Sequence, residues 1–263
     1  MIRFATVGDN CMDVYEELGQ VYGGGNPLNV SVYLRRLGEE VSYSGVVGTD
    51  QYGEIMLKML RDRGVDVSHV QVQEGSTAIT KVIVREGERV FSAYEGGVMD
   101  HYKLREEDFA FLTGHDMIIS GIWGEIHPDL PRLHESGTPI AFDFSDQPNH
   151  PVVEQAMPYV DYAFFSWGDS EVDEALMDFM KQQQARGPKL ILTTLGSKGS
   201  VCYDGEQFHR FGIVPCTVVD TMGAGDSFIA GFLRGIMLGR DIPTAMKMGA
   251  ENSAVTLQYQ GAW

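Results

Sequence analysis

Cysteine is scarce in this chain: among 263 residues it occurs only as Cys11, Cys202 and Cys216, an odd number with no C-x-x-C pair. That excludes a disulfide framework, offers no zinc-binding spacing, and fits a reducing compartment such as the cytoplasm. Basic residues are also short. Twenty Lys and Arg stand against 37 Asp and Glu, a formal charge of −17 with no basic stripe, so nucleic acid is repelled. Nowhere do the roughly 18 apolar residues needed to cross a bilayer run together. The opening MIRFATVGDN reads as a strand entering a turn, without the apolar core of an export signal. The expectation is a soluble chain that is not exported and has no nucleic-acid or membrane partner. No G-x-x-x-x-G-K-[ST] is present, which excludes a P-loop kinase. A G-x-G-x-x-G is missing after the first strand, which argues against a nicotinamide oxidoreductase, and no H-E-x-x-H occurs. The seven histidines are scattered, and Cys11 has no neighbour that would activate its thiol. Internal repeats, linkers and low-complexity blocks are absent as well.

What is present is an ordinary globular composition, 43% hydrophobic and 22% charged, in a length that suits one α/β core over residues 1–263 with a minor subdomain. IRFATVG (2–8) reads as a buried strand, and a loop with Asp9, Asn10 and Asp13 follows it. A helix is marked by Asn26 as N-cap, Pro27 at the first helical position, Val30, Leu34 and Leu37 on one face, and Gly38 past its end. VSYSGVVG (41–48) reads as a strand before a second helix over about 53–63. Residues 77–96 read as a hairpin around Glu86-Gly87-Glu88, with Lys81 and Arg89 interrupting its apolar pattern, as at a sheet edge or in a half-exposed sheet rather than in the parallel core. Farther along, short apolar strands at 116–120, 139–144, 161–165 and 189–195 alternate with helices, which predicts a parallel sheet wrapped by helices. A second hairpin (200–212), an apolar run (213–219) and helices over about 225–238 and 241–257 complete the pattern.

The stretch DTMGAGDSF (220–228) is predicted to connect a strand to a helix. Peptide N–H groups at 223–225 would then point out from the positive end of the helix dipole, where anions gather. Glycine at 223 and 225 lets a ligand approach the backbone closely. Asp226 places a carboxylate beside that anion site, and the dipole is expected to keep it ionised. Phosphoryl transfer needs these two parts: donors for the transferring group and a carboxylate that orients and deprotonates the acceptor. A tight turn with Asp226 merely capping the helix fits the same residues.

Two motifs together are more specific. DTMGAGDSFIAGF resembles the second signature of the ribokinase-like (PfkB) sugar kinases, D-T-x-G-A-G-D, and GGNPLN (24–29) resembles the first, G-G-x-x-x-N. GVVGTDQYG (45–53) and TTLGSKGS (193–200) are similar to further family segments, so the likeness runs along essentially the whole chain. VGDNCMDVY, FDFSD, residues 219–232 and QYQGAW resemble the bacterial fructoselysine 6-kinase subgroup. The resemblance implies a three-layer α/β/α sandwich with a mostly parallel central sheet and a small β-sheet lid, its strands from about 10–22 and 77–96. It also implies ATP and Mg2+, and transfer of the γ-phosphate to the 6-hydroxyl of a fructosamine.

By the same resemblance Asp226 is the catalytic base, and the amides of Gly223, Ala224 and Gly225 form the anion hole. Asp13, with Asp9, Gly24, Gly25 and Asn29, would bind the sugar, and Tyr94 and Arg89 would reach it from the lid. Thr194, Gly196, Lys198 and Gly199 would lie near the nucleotide phosphates and ribose, with Asn252 near the adenine. The family's N-x-x-E appears here as Ser166-Trp167-Gly168-Asp169, so Ser166 and Asp169 occupy the nucleotide and metal positions while departing from the pattern. Its D-x-N-x-R survives only as Asp143-Phe144-Ser145. Relatives pair through such lids, which makes a homodimer an expectation. Another sugar or nucleoside kinase of the family, or a non-catalytic sugar sensor on the same fold, stand as alternatives.

Overall fold

A computed structural model describes residues 1–85 and 88–263; the side chains of Glu17 and of residues 84, 85 and 88–91 lie outside the described residues, and with them that of Arg89. The first half of the chain runs β1 (Arg3–Val7), β2 (Cys11–Tyr15), β3 (Gln20–Gly24), α1 (Asn26–Arg36), β4 (Glu40–Ser44), β5 (Val46–Gly48), α2 (Gln51–Asp62), β6 (Gln71–Gln73), β7 (Ile79–Arg85), β8 (Glu88–Glu95) and α3 (Glu106–Thr113). The second half runs β9 (Met117–Gly121), α4 (Leu130–His134), β10 (Ile140–Asp143), α5 (Pro151–Ala156), β11 (Tyr162–Ser166), α6 (Glu174–Gln184), β12 (Leu190–Thr194), β13 (Ser200–Tyr203), β14 (Phe208–Phe211), α7 (Ala224–Met237) and α8 (Ile242–Thr256).

An eight-stranded sheet in the order β14-β13-β12-β11-β10-β9-β1-β4 forms the middle layer. Its pairings are parallel from β4 to β12, and the hairpin β13–β14 adds two antiparallel strands at one edge. The parallel strands are nearly continuous apolar runs because both faces are covered. One face packs against α3–α6 through a core that includes Ile118, Phe142, Phe165 and Met180; the other packs against α1, α7 and α8 through Phe4, Leu34, Phe164 and Phe232. A separate four-stranded sheet, β3-β2-β7-β8, is the small lid. Lys81, one of the charges inside its hairpin, pairs with Glu95 at 2.8 Å.

The chain leaves β1 toward β4 on one side and later enters β9 on the other, so strand order reverses between β1 and β9. Open α/β sheets place their ligands at such a switch point, beyond the carboxyl ends of the strands. Asp9 follows β1 there, the 122–126 loop follows β9, and Asp143 ends β10.

Two local readings of the sequence are corrected. Residues 213–219 do not form a strand before the glycine turn: Pro215 lacks a ladder donor, Val218 and Val219 are exposed, and the segment is held instead by the Val219 N–H on the carbonyl of Leu257 at 2.7 Å. And α1 is not a one-sided helix. All of Pro27 through Leu34 is buried, because α7 and the sheet cover one side while a third core, with Met12, Leu28 and Val32, covers the other.

Gly25 sets where α1 begins. Its φ is +113°, and a Cβ there would lie 2.7 Å from Asn10 Cα and from the Asp9 carbonyl oxygen. Gly25→Ala must therefore strain the backbone or push the Asp9 loop away, and it is expected to destabilise the protein by about 2–3 kcal/mol. A lower urea midpoint at unchanged m-value checks this; an unchanged midpoint refutes it.

Candidate active site

The helix start that Gly25 permits presents Asn26 to three carboxyl groups. Its backbone N–H donates to Asp9 Oδ2 at 3.2 Å, and its side-chain Nδ2 donates to both Asp143 Oδ2 at 2.8 Å and Asp226 Oδ1 at 2.7 Å. Asn29, one turn on, donates Nδ2 to the other oxygen of Asp226 at 2.7 Å. Asp143 is tied on its second oxygen by the Ser145 N–H at 2.8 Å, an approach made from a left-handed Ser145, φ 55°. Loops from β1 and β10 and the N-termini of α1 and α7 thus meet around one amide. Asp226, Asp9, Gly25 and Asn29 are brought together here. Asn26 was missed: read as a simple N-cap, it makes no capping bond, since Gly25 holds that position. An Asn immediately after a run of glycines was the available signal.

Asp9 Oδ1 and Asn26 Oδ1 are buried and have no hydrogen-bond partner among the described residues. Such atoms are costly unless a ligand hydroxyl or water satisfies them, and an acceptor pair of this kind suits the hydroxyls of a sugar.

The electrostatics follow from crowding. Desolvation pushes Asp143 up to about 7, with the charge of Asp226 and then Asp9 adding to it, and pushes Asp9 up to about 7. Asp226 is pushed up to about 6 by the same burial, while its hydrogen bonds from Asn29 and Asn26 pull it back down. At about 6 Asp226 is still ionised at neutral pH, as the sequence reading expects, and the two asparagines limit how far burial raises it.

Asp226 stands in the first turn of α7, next to the glycine turn. Gly223 caps that helix in a left-handed conformation, φ 71°, and a Cβ on it would strike the Tyr33 hydroxyl. A Cβ on Gly225 would meet nothing within 4 Å, so the helix start is open on that side. Of the three amides expected to form an anion hole, that of Ala224 already donates to the Thr221 carbonyl at 3.2 Å. The helix start nonetheless fits a phosphate, because the first N–H groups of a helix lack intrahelical acceptors.

On the expected nucleotide side, Gly196–Lys198 forms a single turn after β12, and Lys198 beside it pairs with Glu171 at 2.9 Å. A cavity of about 220 Å³ there is lined by Leu195, Lys198, Ser200, Arg210, Phe211 and Glu171, among others. Gly199 turns the chain into β13 at φ 97°; Thr194 and Ser166 are half-buried at the facing ends of β12 and β11. Asp169 is exposed and accepts the Ser197 N–H at 2.6 Å, which holds its carboxyl below the ordinary value. It fastens the turn. Asn252 is buried between α7 and α8, donating to the Ser227 carbonyl at 2.7 Å and accepting from Arg36 at 2.7 Å. Among the described residues no three His, Cys, Asp or Glu side chains are grouped to hold a metal ion.

The lid side contributes Asp13, buried in β2, with Cys11 donating to it at 3.7 Å and Gly24 alongside. Tyr94 is exposed on β8; partial desolvation and the nearby charges of Cys11 and Asp9 push its phenol up to about 12.

The raised carboxyls carry a stability consequence. A carboxyl whose folded value lies near 7 and whose ordinary value is 3.8 binds more protons in the folded state between those limits. Its contribution therefore falls as pH rises through that window. Asp143→Asn is expected to raise the unfolding free energy at pH 8 by on the order of 1–3 kcal/mol, with the gain shrinking toward pH 4. Urea denaturation at both pH values measures it, and a gain that grows toward pH 4 would contradict the assignment.

Comparison with known proteins agrees with this architecture. The family model described as "pfkB family carbohydrate kinase" matches residues 10–263. A fructoselysine 6-kinase of Shigella flexneri is 45% identical over 263 residues, covering 100% of both chains. A fructosamine kinase of Bacillus subtilis (strain 168) is 35% identical over 100% of this chain and 93% of its own. Arabidopsis thaliana ribokinase, solved in complex with ribose and ATP, superposes with a TM-score of 0.88 at 20% identity, covering 99% of this chain and 94% of its own, which carries the fold. The chain belongs to the pfkB family of carbohydrate kinases.

Proposed function

We propose that this chain transfers the γ-phosphate of ATP to the 6-hydroxyl of a fructosamine, a sugar joined to an amino acid, such as fructoselysine. The observation that carries the reading is Asp226: a half-buried carboxylate at the start of α7, beside an open glycine turn, with both oxygens fixed by Asn26 and Asn29. The full-length relatives named for fructoselysine and fructosamine support the substrate class.

In this reading the acceptor hydroxyl lies against Asp226, and its proton passes to the carboxylate as the new O–P bond forms. The bond from the γ-phosphorus to the bridging oxygen breaks in line, and ADP leaves with that electron pair. The amides at the head of α7 stabilise charge on the transferring group. Asp9 and Asp13 accept hydrogen bonds from sugar hydroxyls, and the lid excludes water that would compete for the phosphate. Lys198 and the turn before it meet the nucleotide. The magnesium that accompanies ATP would be carried mainly by phosphate oxygens and water. A cytoplasmic setting belongs to the same proposal, as does pairing of two copies through the lid, which the exposed Leu18 and Tyr94 on that sheet and its adjoining turn support. Among the described residues no helix is long and apolar enough to cross a membrane.

ADP release should be seen with ATP, magnesium and fructoselysine, and weakly or not at all with ribose or nucleosides. Sugar-induced thermal stabilisation without ADP would instead identify a sensor. Asp226→Asn is expected to leave KM within a few fold while lowering kcat by about 10²–10⁴; near-normal turnover would defeat the role given to Asp226. Because the base acts ionised and its value is raised to about 6, the active form is lost as pH falls through that value. The acid limb of kcat/KM should lie near pH 6, and a rate independent of pH down to about 4.5 would contradict it.

A further inference from the structure

We propose that Trp263 is a positioning residue for the proton-accepting carboxylate: its indole N–H locks the Asn29 amide in the one orientation that donates to Asp226. The inference rests on the reading of Asp226 as the base. Indole nitrogen only donates and an ionised carboxylate only accepts. Asn29 stands between the two. Its Oδ1 accepts from Trp263 Nε1 at 2.7 Å, and its Nδ2 donates to Asp226 Oδ2 at 2.7 Å. Flipping that amide would break both bonds at once, facing two donors at one end and two acceptors at the other. With the indole in place the amide has a single satisfied state.

The tryptophan is itself held. Its six-membered ring lies where a Cβ on Gly23 would stand, 2.7 Å from Cζ2 and Cη2, so the lid strand β3 offers it a flat floor. The Arg63 guanidinium covers the ring at 4.3 Å from its centroid, a contact that favours stacking. Residue 263 thus reaches from the side of α2 and the lid into the machinery, two hydrogen bonds from the base.

If the N–H is removed, one end of the constraint disappears. Asn29 can then turn its oxygen toward Asp226, replacing a donor to the carboxylate with an acceptor. Titratable groups facing Asp226 from the other elements all disfavour its charge or are neutral: Asp9 from the β1 loop, Asp143 from β10 and the Tyr33 phenol from α1. Only Asn26 would remain as a side-chain donor. The ionised base then becomes harder to form.

Trp263→Phe keeps an aromatic ring on Gly23 and under Arg63 but removes the donor. Its acid limb of kcat/KM is expected to move up by about half to one pH unit, with kcat/KM at pH 6 reduced roughly 2–5-fold and largely recovered at pH 8. Arg63→Ala, which loosens packing yet leaves the N–H, should keep the original limb. The double variant with Asn29→Ala should lose no more than Asn29→Ala alone, since both act through one amide. An unshifted profile, an equal loss at every pH, or additive losses in the double variant each overturn the proposal. In the unaltered protein the Trp263 indole N–H resonance should titrate with the midpoint of the kinetic acid limb, which needs no substitution to fold; a resonance constant over about pH 5–8 overturns it too. An Asp226→Asn enzyme with near-normal turnover would instead remove the base itself. Loss of turnover in Asp226→Asn beside an unshifted Trp263→Phe profile removes only the relay.

Discussion

One side-chain amide holds the site together. Asn26 faces Asp9, Asp143 and Asp226, and donates to each of them by backbone or side chain. Three carboxyls so close, in a crevice that removes water from them, cannot all ionise without strong mutual repulsion. The donors of Asn26 and Asn29 limit that repulsion at Asp226, the acid left most easily ionised. Asp143 also receives two donors, so what orders the acids is charge: Asp226 ionises first, and its charge then raises both Asp143 and Asp9.

Much of the fold can be read as the means of delivering that amide. The switch in strand order opens the sheet beside β1, and Gly25 turns the chain so that α1 starts within reach of the Asp9 loop. α1 is then enclosed on every side, which suits a helix whose first turn carries two amides that must not wander. Gly223 permits the tight cap on α7 against the Tyr33 hydroxyl, which itself donates to the Ala262 carbonyl. α1, α7 and the segment around 261–263 are in this way one packed unit; the Gly261 N–H on Asp220 at 2.7 Å closes it.

The alternation of short apolar strands with helices was legible because each parallel strand is buried on both faces, and burial leaves a period and a composition that can be counted. The lid hairpin was legible for the opposite reason, since Lys81 interrupts its apolar run; β7 is an inner strand of the lid sheet, and the charge marks that sheet's exposed face rather than an edge. What periodicity does not carry is side-chain direction at an element's end. Asn26 fits an N-cap by every local rule, yet a glycine with positive φ took the cap and freed the amide for partners 117 and 200 positions away. Residues 213–219 have the β-branched composition of a strand, but they join no sheet among the described residues and a proline stands among them. Asn252 shows a related limit: its chemistry suits a ligand as well as packing, and in the fold its side chain joins α8 to the Ser227 carbonyl and to Arg36.

The net charge poses the remaining physical question, because a chain at −17 repels a polyanion such as the nucleotide in the proposed reaction. Exposed charges act over only about 8–10 Å at ordinary ionic strength, so the count that matters is local. Beside the 220 Å³ cavity stand Lys198 and Arg210 with the facing Glu171, and at the head of α7 the helix dipole adds partial positive charge. Lys198 is solvent-exposed and its pair with Glu171 lies at the surface, where such a bond is worth little, about 0–1 kcal/mol, and yields readily to a phosphate. The three acids around Asn26 would resist a second negative group. In the proposed reaction an uncharged hydroxyl, able to donate a hydrogen bond to Asp226 and Asp9, is what that cluster can accept, while the polyanion would be met where donors and cations prevail.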